Sequence, residues 1–249
     1  MDNLNDSDNK NLEQAHLDFI STVSHELRTP LTSIRGFADT LLTSFDKLTP
    51  GQREKFLLII KDQSNRLIKL VENLLAVSKM QSDREMLVYK EVNVRPFIES
   101  CIQILKGQYK THTFMTEFDS NLPDIMIDTD KFQQIIINLL DNSAKYSDEG
   151  SKVIIRVKQI TNGLSIKIID NGIGICKDNL EKVFSKFSRI DSPLTRKKQG
   201  SGLGLYITKK LVEKMQGTIS ADCSNGETVF EIKFPLAKFG ETSFQKIKE

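Results

Sequence analysis

Four short stretches of this 249-residue sequence gather residue types able to do chemistry. In SHELRTPLTS, Ser24 to Ser33, a histidine, a glutamate, an arginine and a threonine crowd into the residues before Pro30. An imidazole with an unperturbed pKa of about 6.5 is largely neutral near pH 7, and a neutral ring nitrogen is a competent nucleophile. Glu26 is adjacent to His25 and able to orient or deprotonate the ring, while Thr29, at i+4, brings a hydroxyl to the same helical face. His16 and His112 lack such company and read as ordinary. In NLLDNSAKYS, Asn138, Asn142 and Lys145 fall at i, i+4 and i+7, so two amide oxygens and an ammonium line one side of a helix. Amide oxygens suit magnesium, a hard cation that keeps several waters and phosphate oxygens.

The other two stretches are glycine-rich. IIDNGIGI follows an apolar run, which puts Asp170 at a strand end with Gly172 and Gly174 behind it. A carboxylate there can accept a hydrogen bond from an exocyclic amine, and small residues let a flat ring approach the backbone. GSGLGL then opens a helix with Gly200, Gly202 and Gly204, whose amides can cradle phosphate. The amide stripe and the two glycine motifs, in this order within about 65 residues, point together to a nucleotide.

The elements that must position these groups have two textures. From Leu17 to about Gln81 no stretch is strand-like, and Pro50-Gly51 is the one turn signal, separating two long periodic segments. In the first, Ile20, Leu27, Ile34 and Leu41 recur every seven residues, with Val23 and Phe37 between them and Leu31, Ala38 and Phe45 widening the stripe. In the second, Ile60, Leu67 and Leu74 repeat the spacing, with Leu70 and Val77 interposed. His25 lies on the heptad far from this seam and is expected to face solvent, and Pro30 is expected to kink or loosen the helix below it. A lone hairpin cannot bury so broad a seam on both sides, so two chains are expected to pair into a four-helix bundle, a homodimer.

Beyond Gln81 the pattern is mixed. Met86–Val94, Thr111–Phe118 and Asp124–Ile127 read as extended, Phe97–Lys106 and Asp128–Tyr146 as helices, and Val153–Ile160 with Leu164–Ile169 as a hairpin about Asn162-Gly163. A short helix near Asp178–Phe184, a helix over Gly202–Met215 and strands at Thr218–Asp222 and Thr228–Phe234 complete an α/β sandwich, helices on one face of a mixed sheet. The fold class is thus α+β, with domains expected at 16–82 and 93–236, a lead-in over 1–15, a linker over 83–92 and a tail over 237–249. The composition, 39% hydrophobic and 27% charged, is that of an ordinary globular protein, and a net charge of +2 gives no case for nucleic acid. Cys101, Cys176 and Cys223 form no paired framework and read as reduced thiols of a cytoplasmic protein. No run approaches the roughly 18 apolar residues of a membrane span, and the first ten residues are polar and acidic, unlike a signal peptide.

Together the motifs resemble the catalytic core of sensor histidine kinases of two-component signalling: SHELRTPLTS its H box, NLLDNSAKYS its N box, DNGIGI and GSGLGLYI its two glycine boxes, and FSKFSRI its F box. The resemblance spans about Leu17 to Pro235. It implies a dimerisation and histidine-phosphotransfer hairpin followed by an ATP-binding domain of the GHKL (Bergerat) type, with ATP and Mg2+ as cofactors. It implies that His25 accepts the phosphoryl group, that Glu26 is its acid/base neighbour, and that Thr29 positions water when the kinase dephosphorylates its partner. Asn142 would bind magnesium with Asn138 assisting, and Lys145 and Tyr146 would contact phosphate and adenosine. Asp170 would read adenine beside Gly172 and Gly174. Gly200, Gly202, Leu203, Gly204 and Leu205 would form the second glycine box, and Phe184, Phe187 and the basic run Arg189–Lys198 the F box and a mobile ATP lid.

Cys176 departs from the family, which commonly has proline there. Gyrase and chaperone ATPases share the ATP-binding fold, but they carry a glutamate four residues before the magnesium asparagine, where this chain has Asn138. An amide cannot take a water's proton, so hydrolysis should be slow and the phosphoryl group should await another nucleophile. The implied partners are a second copy of the chain, the receiver domain of a response regulator, and an upstream sensor module or separate sensor protein. About 24 residues precede His25, too few for a sensor domain, so the chain is expected to be either the cytoplasmic core of a longer receptor or the target of a separate sensor.

Overall fold

The computed structural model describes residues 3–81, 86–188, 201–224 and 226–236. They divide into two compact units at Ser82/Asp83.

The first unit is a helical hairpin of α1 (Asn3–Ser44) and α2 (Pro50–Gln81), packed along one another. Helix α1 already covers residues 3–15 of the expected lead-in and continues through Pro30, which is buried. Proline removes one i→i−4 donor, here the partner of the Glu26 carbonyl. Leu70 and Val77 are buried, while Leu27, Ile34, Leu41, Ile60, Leu67 and Leu74 are half-buried, and Phe37 meets Phe56 at a ring-centroid distance of 5.0 Å.

The reversal differs from the sequence expectation. Pro50 and Gly51 are not the turn but the first residues of α2, and the chain turns over Phe45–Thr49, including a 3₁₀ turn at Phe45–Lys47. The cause is a capping box: the Thr49 hydroxyl accepts from Gln52 N at 3.3 Å, and the Gln52 side chain accepts from Thr49 N at 2.9 Å. Proline then occupies the first helical position, where it has no hydrogen bond to lose. Arg53 closes the corner, its guanidinium 3.9 Å from the Phe45 ring centroid and its Nε donating to the Phe45 carbonyl at 3.0 Å.

The second unit contains α3 (Val94–Lys106), α4 (Thr129–Tyr146) and α5 (Gly204–Lys214), with strands β1 (Tyr89–Val92), β2 (Thr113–Phe118), β3 (Ile125–Asp128), β4 (Lys152–Ile160), β5 (Gly163–Asp170), β6 (Thr218–Ser224) and β7 (Glu227–Pro235). The main sheet has the order β2-β4-β5-β7-β6, with β2 parallel to β4 and the other pairs antiparallel. Strands β1 and β3 form a separate antiparallel pair, which the single-sheet expectation did not contain. Asp128 joins that pair to the helix layer: one carboxylate oxygen accepts from Val88 N, and the other caps α4 through Asp130 N and Lys131 N.

Alternation sets the core. On β4 Val153, Ile155 and Val157 are buried, on β5 Leu164, Ile166 and Ile168, and on β7 Phe230, Ile232 and Phe234. From α4, Phe132, Ile135, Ile136, Leu139 and Leu140 are fully buried against them. Period two carries the same face to Asp170 at the end of β5, so the strand that builds the core also aims this carboxylate into it.

Three of the differences from expectation have identifiable local causes or forms. Helix α3 begins three residues early because Asn93 caps it, accepting from Arg95 N, and Pro96 fits the first turn. The β4–β5 turn is Thr161-Asn162, since Gly163 already pairs with Ile160. A Cβ on Gly163 would lie against the Phe234 carbonyl oxygen, which explains a glycine inside the strand. The helix expected near Asp178–Phe184 is two 3₁₀ turns, Lys177–Asn179 and Lys182–Phe184.

Candidate functional site

On the hairpin, His25 is exposed at mid-length of α1. Thr29 follows one turn later, also exposed, and its hydroxyl donates to the His25 carbonyl at 3.2 Å. Glu26 is turned toward α2, where its carboxylate accepts from Arg66 at 3.0 Å in a half-buried ion pair. Arg66 gave no signal in the sequence, because this pairing is set by how two helices lie together.

In the second unit a cleft with about 670 Å³ of free space, continuous with solvent, is lined on one side by Asn142, Tyr146, Asp170 and Thr228. Ile173, Gly174, Ile175 and Leu205 line it further, with Val183, Ser188 and Phe230. Asp170 is the chemical centre of this wall, 3% exposed. Burial raises its pKa, against the opposing effects of Ser143, the Gly172 amide and Thr228. The Gly172 N–H donates to its Oδ1 at 3.0 Å. Thr228 pairs with Asp170 across β5 and β7, which puts both side chains on the core face, and Cys223 extends the row onto β6. Neither Thr228 nor Ser143 was singled out in the sequence, for their proximity to Asp170 arises from strand register and helix packing.

The glycines are required by close approaches. A Cβ on Gly172 would stand 2.5 Å from the Tyr146 carbonyl oxygen. Gly174 has φ +73° and packs on the Cys223 sulfur, which accepts from Ile175 N at 3.4 Å. Gly202, φ +67°, lies against the backbone of Phe187, itself at φ 56°. Phe184 is buried edge-on to Phe230. Helix α5 starts at Gly204 with Leu203 as its N-cap residue and no side-chain cap hydrogen bond, the kind of helix start that can accept an anion.

Of the sequence-derived residues, the cleft gathers Asn142, Tyr146, Asp170, Gly174 and Leu205. Asn138, Lys145, Gly172, Gly202, Leu203 and Gly204 stand outside its lining. Lys145 Nζ lies 4.9 Å from the Tyr146 ring centroid, and Asn138 Nδ2 donates to Thr208 Oγ1 at 2.8 Å. Arg189, Gly200 and the rest of the basic run Arg189–Lys198 lie outside the described residues.

This donor set fits a planar base and a phosphate chain: a buried carboxylate at the apolar end, glycines whose Cβ positions are already filled, and an uncapped helix start. Among the described residues no three His, Cys, Asp or Glu side chains converge as a metal cage. An amide oxygen from Asn142 with phosphate oxygens and waters is the kind of coordination magnesium accepts.

Residues 15–83 match the His Kinase A (phospho-acceptor) domain, and residues 127–238 match the histidine kinase-, DNA gyrase B-, and HSP90-like ATPase family. The chain is 36% identical over 226 residues to the sensor protein kinase WalK of Staphylococcus haemolyticus (strain JCSC1435), across 89% of this chain and 36% of that protein. The fold is similar to that of the Acinetobacter baumannii histidine kinase AdeS, with a TM-score of 0.69 and 24% identity over 86% of this chain and 98% of that one. It is also similar to the histidine kinase ThkA solved in complex with the response regulator protein TrrA, with a TM-score of 0.73 and 23% identity over 93% of this chain and 66% of that one. The chain belongs to the sensor histidine kinase family, of which it carries the catalytic core. It spans about a third of the length of the WalK relative. Among the described residues no helix is long and apolar enough to cross a membrane.

Proposed function

We propose that this chain transfers the γ-phosphoryl group of ATP to His25 and then to an aspartate of a response regulator receiver domain. The observation that carries the reading is the pairing, in one chain, of an exposed histidine flanked by Glu26 and Thr29 with a cleft built around buried Asp170. In the transfer, a neutral His25 ring nitrogen forms the N–P bond as the bond from the γ-phosphorus to the bridging oxygen breaks and ADP leaves. Glu26 takes the proton shed by the ring, which requires its carboxylate to leave Arg66.

Asp170 accepts from the adenine amine, Tyr146 packs beside the adenosine, and the opening amides of α5 face the phosphates. Asn142, with Asn138 assisting, would hold magnesium, which would supply charge neutralisation at the phosphates. Lys145 contributes a further cation to the phosphates, and Arg189 another. Asn138 cannot deprotonate water, so the phosphoryl group is kept for the histidine.

The hairpin acts as a homodimer. Its two helices leave a stripe of exposed large apolar residues, Ile20, Leu31 and Leu42 on α1 and Leu57, Ile68, Val71 and Leu75 on α2. Spacings of 11 residues on α1, and of 11, 3 and 4 on α2, keep each stripe on one face, and a four-helix bundle buries both. Mass-spectrometric mapping after incubation with ATP and magnesium tests the reading: a single phosphohistidine at residue 25 supports it, and phosphate at another residue refutes it.

A further inference from the structure

The loop between β5 and the first 3₁₀ turn after it walls the cleft with Ile173, Gly174 and Ile175. Three backbone donors tie this loop down. Gly172 N donates to Asp170 Oδ1 at 3.0 Å, Ile173 N to the Tyr146 carbonyl at 3.1 Å, and Ile175 N to the Cys223 sulfur at 3.4 Å. The third anchor is the weak one, because sulfur is a poor acceptor. It is also the one that oxidation can alter, since the other two acceptors are a carboxylate and a carbonyl.

Cys176 is the next residue of the loop and is exposed, whereas Cys223 is half-buried on β6. One residue of chain, about 3.5 Å of reach, separates Cys176 from the residue whose amide touches the Cys223 sulfur. Register puts Cys223 beside Thr228, and Thr228 beside Asp170, so the thiol lies on the cleft side of the sheet. Spacing along the sequence gave no cysteine pair; the fold supplies one by laying β6 against a loop 48 residues away. Cys101, the third cysteine, is 0% exposed on α3.

We infer that Cys176 and Cys223 form an oxidisable thiol pair that takes a peroxide as its substrate and closes a disulfide at the base of the first glycine loop. The exposed Cys176 sulfur attacks one oxygen of hydrogen peroxide; the O–O bond breaks, the thiol proton goes to the departing oxygen, and Cys176 becomes a sulfenic acid as water leaves. The Cys223 sulfur then attacks the Cys176 sulfur, the S–O bond breaks, and a second water carries off the Cys223 proton. The two thiols together lose two electrons, and one peroxide is reduced to two waters.

Closure reshapes the cleft wall. A disulfide holds its sulfurs about 2.05 Å apart and its Cα atoms about 4.4–6.8 Å apart. The Cys223 sulfur must turn from the Ile175 amide toward residue 176, so the third anchor is lost, and Gly174, which packs on that sulfur at φ +73°, shifts with it. The inference rests on the reading that the cleft takes a nucleotide, and it adds a control of that binding by thiol oxidation.

The test uses the whole chain, reduced with dithiothreitol and then treated with hydrogen peroxide. Intact mass should fall by two hydrogens, and peptide mapping without reduction should show Cys176 joined to Cys223 within one chain and Cys101 unmodified. Cys176→Ser and Cys223→Ser should each form no bridge. Calorimetric titration with ADP and magnesium should then show affinity lowered at least about tenfold in the oxidised parent, the scale of one lost hydrogen bond, restored by dithiothreitol, and unchanged by peroxide in Cys176→Ser.

An unchanged mass, oxygen retained on either sulfur in place of a bridge, or a bridge to Cys101 or to a second chain overturns the pairing. A bridge between Cys176 and Cys223 that leaves ADP affinity intact overturns its hold on the cleft, as does an equal loss of affinity in peroxide-treated Cys176→Ser. The reduced parent separates the inference from the reading beneath it: if it binds no ADP, the nucleotide reading fails, while mass and mapping still decide the bridge.

Discussion

At Asp170 the role proposed in binding would run against stability. Burial raises its carboxyl pKa, so the folded chain holds the proton more tightly than the unfolded chain does. Its contribution to stability is present below the unfolded pKa and lost as pH rises through the folded value, so near neutral pH the ionised group burdens the fold. Asp170→Asn should therefore melt at the same temperature as the parent or higher at about pH 7, the advantage shrinking toward about pH 4, while nucleotide binding is lost. A lower melting temperature across that range, read by calorimetry, would contradict this. The role proposed for Thr29 would separate two activities in a similar way. It is exposed and bonds only a local carbonyl, so Thr29→Ala should keep autophosphorylation within a few fold yet lose most response-regulator phosphatase activity, for which a hydroxyl must hold water in line. Equal loss of both activities, or loss of neither, would refute that role. Asp170 was legible in the sequence because strand alternation ending in Asp-Asn-Gly leaves it one place to point. Thr228, Ser143, Thr208 and Arg66 were not, since each meets its partner through register or packing between distant segments.

Helix ends and helix faces account for the next level of behaviour. The Thr49–Gln52 capping box fixes where α2 begins, and Thr49→Ala should cost about 1 kcal/mol in denaturant unfolding of the hairpin. No change in the transition would show that the box does not hold the corner. The Pro50-Gly51 pair, a turn signal in the sequence, is helical because that box recruits both residues; local turn chemistry and capping chemistry use the same residue types. The heptads of both helices were legible from spacing, but which apolar residues face the neighbouring helix and which face outward was not. Ile20 was read with Leu27 and Ile34, yet it is 49% exposed and falls on the outward stripe with Leu31 and Leu42. Ile68, 57% exposed, and Leu75, 56% exposed, occupy the matching stripe of α2. A charge in the middle of that stripe would be buried unpaired in a bundle, so Ile68→Glu should convert the chain from dimer to monomer in sedimentation while leaving ADP affinity unchanged. A parent chain that sediments as a monomer at micromolar concentration would refute the bundle.

In the molecule as a whole, the change of texture near Gln81 was legible because the hydrophobic period changes from helical to alternating, and the two compact units divide within a residue or two of that point. The order of strands in the sheet was not legible, since a parallel β2–β4 pair and a detached β1–β3 pair depend on long-range pairing that no local pattern encodes. The proposed function divides labour between the two units: the second would hold the nucleotide and the first would supply the acceptor, so each should be open to disabling without the other. His25 is exposed and contributes nothing to either core, so replacing it should spare the fold and the cleft. The decisive measurement is incubation of the parent chain, His25→Gln and Asp170→Asn with γ-labelled ATP and magnesium, with ADP binding measured on the same samples. The parent should take up label that is lost in acid and kept in alkali, Asp170→Asn should lose both label and binding, and His25→Gln should lose the label while binding ADP as the parent does. Label of undiminished intensity on His25→Gln would contradict the account.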